Sequence, residues 1–596
     1  MIIGAEDAGP GAAGVSYVVF GSNAGFSASV DLAGLDGSNG FKIGGVAAED
    51  YAGTSVSAAG DLNGDGVDDL IIGASDADAN GTNSGASYVV FGRNTAVNGN
   101  FAAAVNLSQL DGRNGFRISG IAPFDGAGSA VSAAGDINGD GIDDVIIGAY
   151  EADPNGMDSG EAYVLFGRNT ALSGNFPADL NLADLDGING FRISGAGNMD
   201  GFGYSARAAG DINGDGFGDI IIGAPAAASN TGAAFVIFGM NTGATGNFPA
   251  QFDLSSLDGS NGFKISGATS GDYFGTAVSA AGDINGDGID DVIIGATLAA
   301  ANGAGSGASY VVFGQDTSAR GNFAANLLLS SLDGSNGFRI KGAAAGDYSG
   351  ISVSGAGDFN GDGVDDLIVG AFGGGANGDY SGAAYVVYGR NTALAGDFSA
   401  NLNLNNLGVL NGIRLNGAAA GDGFGISVSA AGDFNGDGIS DLIVGAAGVD
   451  ANGVDSGASY VLFGFQFIPE GVVIKAGGNL AKFVDADGDR VTVKSSKGAL
   501  SSDNFVFTAG GLLSAINLAP LSAGGGGGDF QGAKISISTK SSGGSDGMIN
   551  VGVINGLGVS LKSLKVAGDI GAVILGESVP GKMALTSLKA DSIGLG

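Results

Sequence analysis

The segment Asp61-Leu62-Asn63-Gly64-Asp65-Gly66-Val67-Asp68-Asp69 recurs through this 596-residue chain. Its six copies begin 75, 75, 72, 75 and 75 residues apart, at Asp61, Asp136, Asp211, Asp283, Asp358 and Asp433. A fixed period of this length indicates a repeat architecture, in which each repeat is one supersecondary unit packed against its neighbours. Oxygen-bearing side chains at positions 1, 3, 5 and 9 of a Gly-rich turn suit a hard cation such as Ca²⁺.

The predicted ligands are positions 1, 3, 5 and 9 of each loop, because these positions keep Asp or Asn in all six copies. Gly at position 6 permits the sharp turn, and the carbonyl of residue 7 is the expected backbone ligand. Position 8 varies, so we expect it to be merely solvated. The predicted metal residues are Asp61, Asn63, Asp65, Val67, Asp69, Asp136, Asn138, Asp140, Ile142, Asp144, Asp211, Asn213, Asp215, Phe217, Asp219, Asp283, Asn285, Asp287, Ile289, Asp291, Asp358, Asn360, Asp362, Val364, Asp366, Asp433, Asn435, Asp437, Ile439 and Asp441.

The loop is not an EF-hand, which needs a bidentate Glu at position 12. Here position 12 is Ile or Val inside an apolar run, as at Ile72 and Ile147, so the site is expected in a β-hairpin. Mg²⁺ suits the loop less well than Ca²⁺, because Mg²⁺ tends to keep its waters. The alternative is that Asn-Gly-Asp-Gly is turn chemistry alone, although a turn does not require Asp at positions 1 and 9.

The sequence around each loop predicts four short strands per repeat. In the copy at Asp136 they are Ala130–Ala134, Val145–Gly148, Ala162–Phe166 and Phe191–Ser194, separated by Gly/Asn/Asp turns. Four strands per repeat are typical of a β-propeller blade, and the small residues of the first strand suit its crowded innermost position. The third strand ends in Phe-Gly or Tyr-Gly seven times, at Gly21, Gly92, Gly167, Gly239, Gly314, Gly389 and Gly464.

Seven such strands against six loops predict an incomplete first blade. Ile2-Ile3-Gly4-Ala5 aligns with Ile71-Ile72-Gly73-Ala74, so a seventh loop would fall before residue 1. We therefore expect that the chain begins inside a blade, as a fragment or from a misplaced start. No signal peptide is apparent at Met1.

The composition excludes several classes of function. The formal net charge is −37, and residues 1–464 hold 51 of the 61 acidic residues but 13 of the 24 basic ones. Such a surface repels nucleic acid and anionic membranes. The chain has no Cys, His or Trp, which excludes the usual zinc sites and Ser-His or Cys-His catalysis. No apolar run is long enough for a membrane span.

The repeat resembles the FG-GAP repeat of the integrin α-subunit propeller, and bacterial FG-GAP proteins in particular. The likeness covers about residues 1–464 and rests on Phe202-Gly203, Phe274-Gly275 and Phe424-Gly425, each followed by the Asp loop and an Ile-Gly-Ala or Val-Gly-Ala strand. It implies a seven-bladed propeller with Ca²⁺ between the first and second strands of a blade, and with ligands bound at the opposite face. The Phe-Gly pair is expected to be replaced by Tyr51-Ala52, Asp125-Gly126 and Tyr348-Ser349.

The predicted fold is therefore all-β: a seven-bladed propeller over 1–466, followed by a smaller β region. We expect a β-rich module over 467–523, a Gly hinge at 524–528 and a truncated, β-solenoid-like region over 529–596. Val472-Val473-Ile474 either completes the last blade or opens the next domain. Asp485, Asp487 and Asp489 form either one further weak Ca²⁺ site or a plain acidic turn.

The leading functional hypothesis is a secreted or cell-surface protein that uses a Ca²⁺-stabilised propeller for adhesion or for recognition of a protein or glycan. No catalytic constellation is visible, so an enzyme is not expected. Two alternatives stay open: a passive spacer in a large surface protein, or the propeller portion of a secreted lyase or phospholipase. No nucleic-acid partner and no membrane insertion are expected.

Overall fold

The computed structural model describes residues 1–408, 411–453 and 455–465, and then separate segments between 473 and 593. The first three ranges form seven sheets of three to five strands, one after another along the chain. We call these sheets blades 1 to 7. The all-β propeller fold is thereby confirmed.

The second and third strands form the buried centre of blades 2 to 6, whereas the second strand of blade 1 and the third strand of blade 7 are more exposed. The central strands are runs of Val, Ile, Tyr and Phe, which fit a pleated surface covered on both sides. In blade 3, Val145, Ile146 and Ile147 are fully buried, and they pair antiparallel with the inner strand on one side and the third strand on the other. The inner strand carries small residues where neighbouring blades crowd together, as at Ala134, which is also fully buried.

The strand bounds recur from blade to blade. The inner strands are Val56–Gly60, Ala130–Gly135, Ser205–Gly210, Phe274–Gly282, Val353–Gly357 and Ser427–Gly432. The second strands are Ile2–Ala5, Asp69–Ala74, Asp144–Ala149, Asp219–Ala224, Asp291–Ala296, Asp366–Ala371 and Asp441–Ala446. The third strands are Val15–Val19, Ala86–Val90, Glu161–Leu165, Ala233–Ile237, Ala308–Val312, Ala383–Val387 and Ala458–Leu462. The fourth strands are Gly40–Gly44, Gly115–Ser119, Gly190–Ser194, Gly262–Ser266, Gly337–Lys341 and Gly412–Asn416.

The loop between the third and fourth strands contains a feature that the sequence did not reveal. In blades 2 to 6 this loop adds a short parallel strand to the outer edge of the preceding blade; we call these clasp strands. They are Ala104–Asn106, Asp179–Asn181, Gln251–Phe252, Asn326–Leu328 and Asn401–Asn403. A Phe in the same loop stacks on a Phe of that blade with centroids 4.3 to 4.5 Å apart, so each clasp also buries apolar surface between blades.

The helices of the propeller are single turns in these loops and linkers. The α-helical turns are Thr95–Asn98, Thr170–Ser173, Thr242–Thr245, Thr317–Arg320 and Thr392–Ala395. Ala227–Asn230, between the second and third strands of blade 4, is a left-handed turn, with φ +52° at Ala228 and +60° at Ser229. The 3₁₀ turns are Leu32–Gly34, Leu107–Gln109, Leu182–Asp184, Leu254–Ser256, Leu329–Ser331 and Leu404–Asn406. Among the described residues, no helix has the length and apolar character needed to cross a membrane.

One hydrogen bond recurs from blade to blade and also joins the last blade to the first. A Phe or Tyr follows the third strand, and the amide two residues after it donates to the carbonyl at position 2 of the preceding blade's Asp loop. In blade 3 this bond runs from Arg168 to Leu62 and measures 3.0 Å. Ser22 of blade 1 makes the same bond to Phe434 of blade 7, also at 3.0 Å. Phe26 stacks on the Phe434 ring with centroids 4.6 Å apart. Blades 1 and 7 are therefore neighbours.

Two sheets follow the propeller. One contains Val473–Ile474, Leu480–Val484, Arg490–Ser495, Lys534–Lys540, Ser563–Val566 and Leu588–Lys589. The other contains Phe505–Phe507, Leu513–Asn517, Val551–Gly556, Asp569–Leu575 and Ser592–Ile593. From Leu513 onward the strands alternate between the two sheets, and within each sheet those that pair with one another are parallel.

The sequence left open whether Val473–Ile474 completes the last blade or opens the next domain. This strand pairs with Leu480–Val484, so it belongs to the first sheet after the propeller. The expected Gly hinge at 524–528 lies outside the described residues. The solenoid-like region over 529–596 and the domain limits remain predictions.

A glycine recurs at the entry to each inner strand, and Gly203 of blade 4 shows why: the backbone of the preceding blade lies too close for a side chain. Gly203 has φ +87°, and a Cβ there would lie 2.3 Å from the Glu161 carbonyl oxygen. Gly271 has nearly the same φ, +88°, but nothing lies within 4 Å of its Cβ position. We predict that Gly271→Ala lowers the free energy of unfolding by about 1 kcal/mol through backbone strain. Gly203→Ala should cost about 2–5 kcal/mol, because steric overlap adds to the same strain.

Denaturant unfolding of both variants at fixed Ca²⁺ measures the difference. Equal losses of stability in the two variants would contradict a steric role for Gly203.

Candidate metal centre

The six Asp loops lie where the sequence predicted them, in the hairpin between the inner and second strands. The position 1 carboxylate holds the turn by accepting from the amides of positions 5 and 6. In the first loop, Asp61 accepts from Asp65 at 2.9 Å and from Gly66 at 2.8 Å. The other five loops repeat both bonds at 2.8 to 3.0 Å. Gly at positions 4 and 6 has positive φ in every copy, which the turn requires.

The position 9 carboxylate is fully buried in all six loops. Asp69 Oδ2 accepts from the Leu62 amide at 3.1 Å, and Asp69 Oδ1 accepts from the Gly92 amide at 2.8 Å. Gly92 is the glycine of the Phe-Gly pair that ends the third strand. The position 9 side chain thus joins the Asp loop to the end of the third strand in the same blade.

The same pair of bonds occurs in all the other loops. The bonds to the position 2 amide measure 2.9 to 3.1 Å. The bonds to the glycine amide measure 2.7 to 2.9 Å.

The position 3 Asn is buried beside the position 9 carboxylate in the first five loops, whereas Asn435 of the sixth is partly exposed and donates to Asp437. Asn63 Nδ2 lies 3.2 Å from both Asp69 carboxylate oxygens. In three loops the other amide atom, Oδ1 of Asn213, Asn285 and Asn360, is buried and accepts no hydrogen bond. A buried oxygen without a donor is costly. A bound cation would satisfy this oxygen, so the donor set fits a hard metal ion.

The carboxylates alone do not surround an ion. Within the described part of the chain, no group of three or more Asp, Glu, His or Cys side chains is arranged to hold a metal. The position 1 and position 9 carboxylates face backbone amides, and position 5 is exposed, as at Asp65. Amide and carbonyl oxygens would therefore have to complete the coordination shell. Asp485, Asp487 and Asp489 lie outside the described residues.

Burial makes the charge at position 9 expensive. It raises the pKa of Asp69 from 3.8 to about 7, with a further contribution from the negative charges of Asp65 and Asp61. The same causes raise the pKa values of Asp144, Asp219, Asp291 and Asp366 well above the usual range. A nearby cation would offset this cost.

Position 8 is not merely solvated, contrary to the sequence-based expectation. Asp143 Oδ2 accepts from the amide of Asp61, which is position 1 of the preceding blade's loop, at 2.9 Å. Asp290 and Asp365 accept in the same way from Asp211 and Asp283, at 2.9 and 3.0 Å. Where position 8 is Gly218, its amide instead donates to the Asp136 carbonyl at 3.2 Å. Position 8 therefore connects adjacent loops, and its variation reflects two ways of making that connection.

The comparisons with known proteins agree with this geometry. The FG-GAP repeat model matches residues 52–90, 127–165, 202–237, 274–312, 349–387 and 424–462. The chain contains six FG-GAP repeats. Each begins at or just before an inner strand and ends at the third strand, so each encloses one Asp loop.

Similar curated proteins are integrin α subunits. Integrin alpha pat-2 of Caenorhabditis elegans is 31% identical over 253 residues, which cover 40% of this chain and 17% of that protein. Integrin alpha-V of Gallus gallus is 32% identical over 248 residues, covering 42% and 20% respectively. Integrin alpha-2 of Bos taurus is 37% identical over 117 residues, covering 20% and 8%. The chain thus spans a fifth or less of these relatives' length.

The repeat boundaries correct the alignment of the Phe-Gly pair in three FG-GAP repeats. The residues equivalent to Phe202-Gly203 are Ala52-Gly53, Ala127-Gly128 and Ser349-Gly350, one or two residues beyond the pairs expected from sequence. The glycine is thus kept in every repeat and only the Phe is replaced. The parallel bridges Gly160–Phe202, Gly85–Ala127 and Gly307–Ser349 confirm the equivalence.

The position 9 pKa leads to a prediction for protein stripped of metal. The folded-state pKa of Asp69, about 7, exceeds the unfolded value of 3.8. This group's contribution to stability is therefore complete below about pH 4 and is lost as the pH rises through about 7. We expect the melting temperature of metal-free protein to fall between pH 5 and pH 8. Millimolar Ca²⁺ should flatten that dependence, because the bound ion favours the charged carboxylate.

Thermal melts of dialysed protein, with and without Ca²⁺, measure this effect. A melting temperature of the metal-free protein that rises over the same pH range would contradict the assignment.

Proposed function

We propose that this chain is a Ca²⁺-binding propeller that recognises a protein or glycan ligand, or mediates adhesion, outside the cell or at its surface. The observation that carries the proposal is the carboxylate buried at position 9 of all six hairpins, which lies beside a buried position 3 Asn in five of them. In three of these the Asn oxygen accepts no hydrogen bond. A turn alone does not need a buried carboxylate beside an unsatisfied amide oxygen.

The ions would act as structural elements. Positions 1, 3, 5 and 9 and the carbonyl of residue 7 would hold each Ca²⁺, which would balance the charge buried at position 9. Extracellular Ca²⁺ modules bind with Kd values of roughly 10⁻⁴ to 10⁻³ M. At about ten times Kd each site adds about 1.4 kcal/mol to the folded state. Six such sites would rival the whole stability of a typical domain, about 5–15 kcal/mol.

The proposed location follows from the weakness of such sites. Sites of this kind fill only where Ca²⁺ is millimolar, which is the condition outside cells. The similarity to integrin α subunits supports the same location and supports ligand binding as the role. Because the matched region is a small part of those relatives, their wider activities and partners are not carried over.

A non-catalytic role is part of the proposal. The strongly buried carboxylates at position 9 are engaged with backbone amides, which leaves them poorly placed as acids or bases. A passive spacer is the second candidate, favoured by the clasp strands, which make the propeller a self-contained unit that could simply hold other domains apart. An enzyme would need its active residues elsewhere.

The metal assignment predicts about six Ca²⁺ per chain, one for each loop. Asp291→Asn removes the position 9 charge of one loop and should reduce the count by about one. Asp290→Asn changes the adjacent position 8 residue in the same way and should keep the full count. Elemental analysis of protein equilibrated in millimolar Ca²⁺ measures both. A wild-type count far below six, or equal counts in the two variants, would refute the proposed ligand set.

The recognition role predicts saturable binding to a glycan or extracellular-matrix array that requires Ca²⁺. A chelator should abolish binding and also lower the melting temperature, because the loops hold the blades in place. Binding that survives chelation would separate recognition from the metal loops. No binding on any array would favour the spacer, and turnover on polysaccharide or phospholipid panels would favour the enzyme.

A further inference from the structure

The face opposite the Asp loops carries a cleft of about 450 Å³ between blades 3, 4 and 5. Each inner strand ends at an Asp loop and each second strand runs away from it, so the linkers before the inner strands lie at the other end of the blade. Tyr150 and Glu151 come from the loop after the second strand of blade 3. Met199 and Tyr204 come from the linker into blade 4, and Tyr273 from the linker into blade 5.

The cleft has an apolar, aromatic floor. Tyr150 and Tyr204 pack edge to face, with centroids 5.4 Å apart and planes at 68°. Tyr273 and Leu298 extend this surface, and the side chains of Met199, Tyr204 and Leu298 are 53%, 45% and 41% exposed. Exposed aromatic and apolar side chains clustered in a concave site are typical of a ligand pocket.

The linkers share a backbone pattern that provides a matched control. Each linker region into blades 2 to 7 has three residues with positive φ, and the last of them is the glycine at the start of the repeat, as at Gly203. The cleft linkers place Met199 (φ +59°) at the first position and Tyr273 (φ +54°) at the second. Tyr51 (φ +53°), which does not line the cleft, occupies the same position as Tyr273. The strained backbone therefore belongs to the repeat, and it is the shape and chemistry of the cleft that indicate a ligand.

The polar groups that line the cleft are acidic or neutral. Glu151 is exposed at the rim, Asp158 and Thr276 are half-buried, and Thr297 is buried. None of the described residues that line the cleft is Lys or Arg. Burial, together with the Glu151 carboxylate, raises the pKa of Tyr150, which keeps its hydroxyl protonated. The cleft therefore offers many hydrogen-bond acceptors and no positive charge.

We propose that this cleft binds a neutral carbohydrate, with sugar rings packed on the tyrosines and sugar hydroxyls bonded to the rim. A pyranose has a flat carbon face and a hydroxyl periphery, which match an apolar floor and an acceptor-rich rim. Anionic glycans are excluded by the net charge of −37 and by the absence of lining cations. The same net charge and the two lining carboxylates, Glu151 and Asp158, would also attract a cationic ligand, so a lysine-rich peptide is the competing probe in the test below. This proposal rests on the recognition function above and assigns its ligand class.

The test uses the full chain in millimolar Ca²⁺ and neutral tetrasaccharides of glucose, xylose, mannose, galactose and N-acetylglucosamine. Calorimetry should find saturable binding of at least one of them. Tyr204→Ala and Tyr273→Gly should each weaken that binding about tenfold or more, as expected for an aromatic anchor. Tyr273→Gly should keep or raise the melting temperature, because glycine relieves the positive φ.

Tyr51→Gly is the matched control, since Tyr51 has φ +53° at the same repeat position but does not line the cleft. Its binding should equal that of the wild type. The carbohydrate assignment is overturned if no neutral tetrasaccharide binds, if both cleft variants bind normally, or if a lysine-rich peptide binds in the cleft instead. If the two variants retain the array binding predicted above, recognition stands and the cleft assignment alone fails. If the wild type binds nothing, both fail.

Discussion

The propeller depends on the buried carboxylate at position 9 of each Asp loop. In the first loop, Asp69 accepts from the amide of Leu62 in its own turn and from the amide of Gly92 beyond the third strand. A carboxylate that accepts several amide bonds is well satisfied, yet its charge is still removed from water. The loop therefore combines a firm backbone anchor with an electrostatic cost, and the proposed cation would offset that cost.

The anchor also explains why two separate sequence signals occur together. The Asp loop and the glycine after the third strand are in direct contact, and a Cβ at Gly92 would lie 2.2 Å from the Asp68 carbonyl oxygen. The neighbouring blade contacts the same loop. After its own third strand, the Arg168 amide donates to the Leu62 carbonyl. Loop geometry, blade geometry and blade-to-blade packing are therefore set by one small group of residues. The opposite face takes no part in it and is free to vary.

Much of the blade was predictable because its signals are local. The four strands of the repeat at Asp136 were predicted to within one residue at each end, since apolar runs bounded by Gly/Asn/Asp turns are short-range patterns. The clasp strands were missed for the opposite reason. Asp179–Asn181 is a polar segment of three residues, and it forms a strand only because it meets the edge of Gly115–Ser119, more than 55 residues earlier in the chain. Position 8 was misjudged for the same reason, because the partner of Asp143 lies in another blade.

The sequence by itself determined the repeat, the order of strands, the number of third strands and the oxygen-rich loops, because each is written within a single repeat of about 75 residues. Only the tertiary structure decided which blade each loop touches, where the buried Asn oxygens lie and which side chains form the cleft. Tyr150, Tyr204 and Tyr273 are distant in sequence and carry no common motif. They converge because three consecutive blades bring their linkers to the same end of the propeller, and packing between blades is a long-range property that no single repeat encodes.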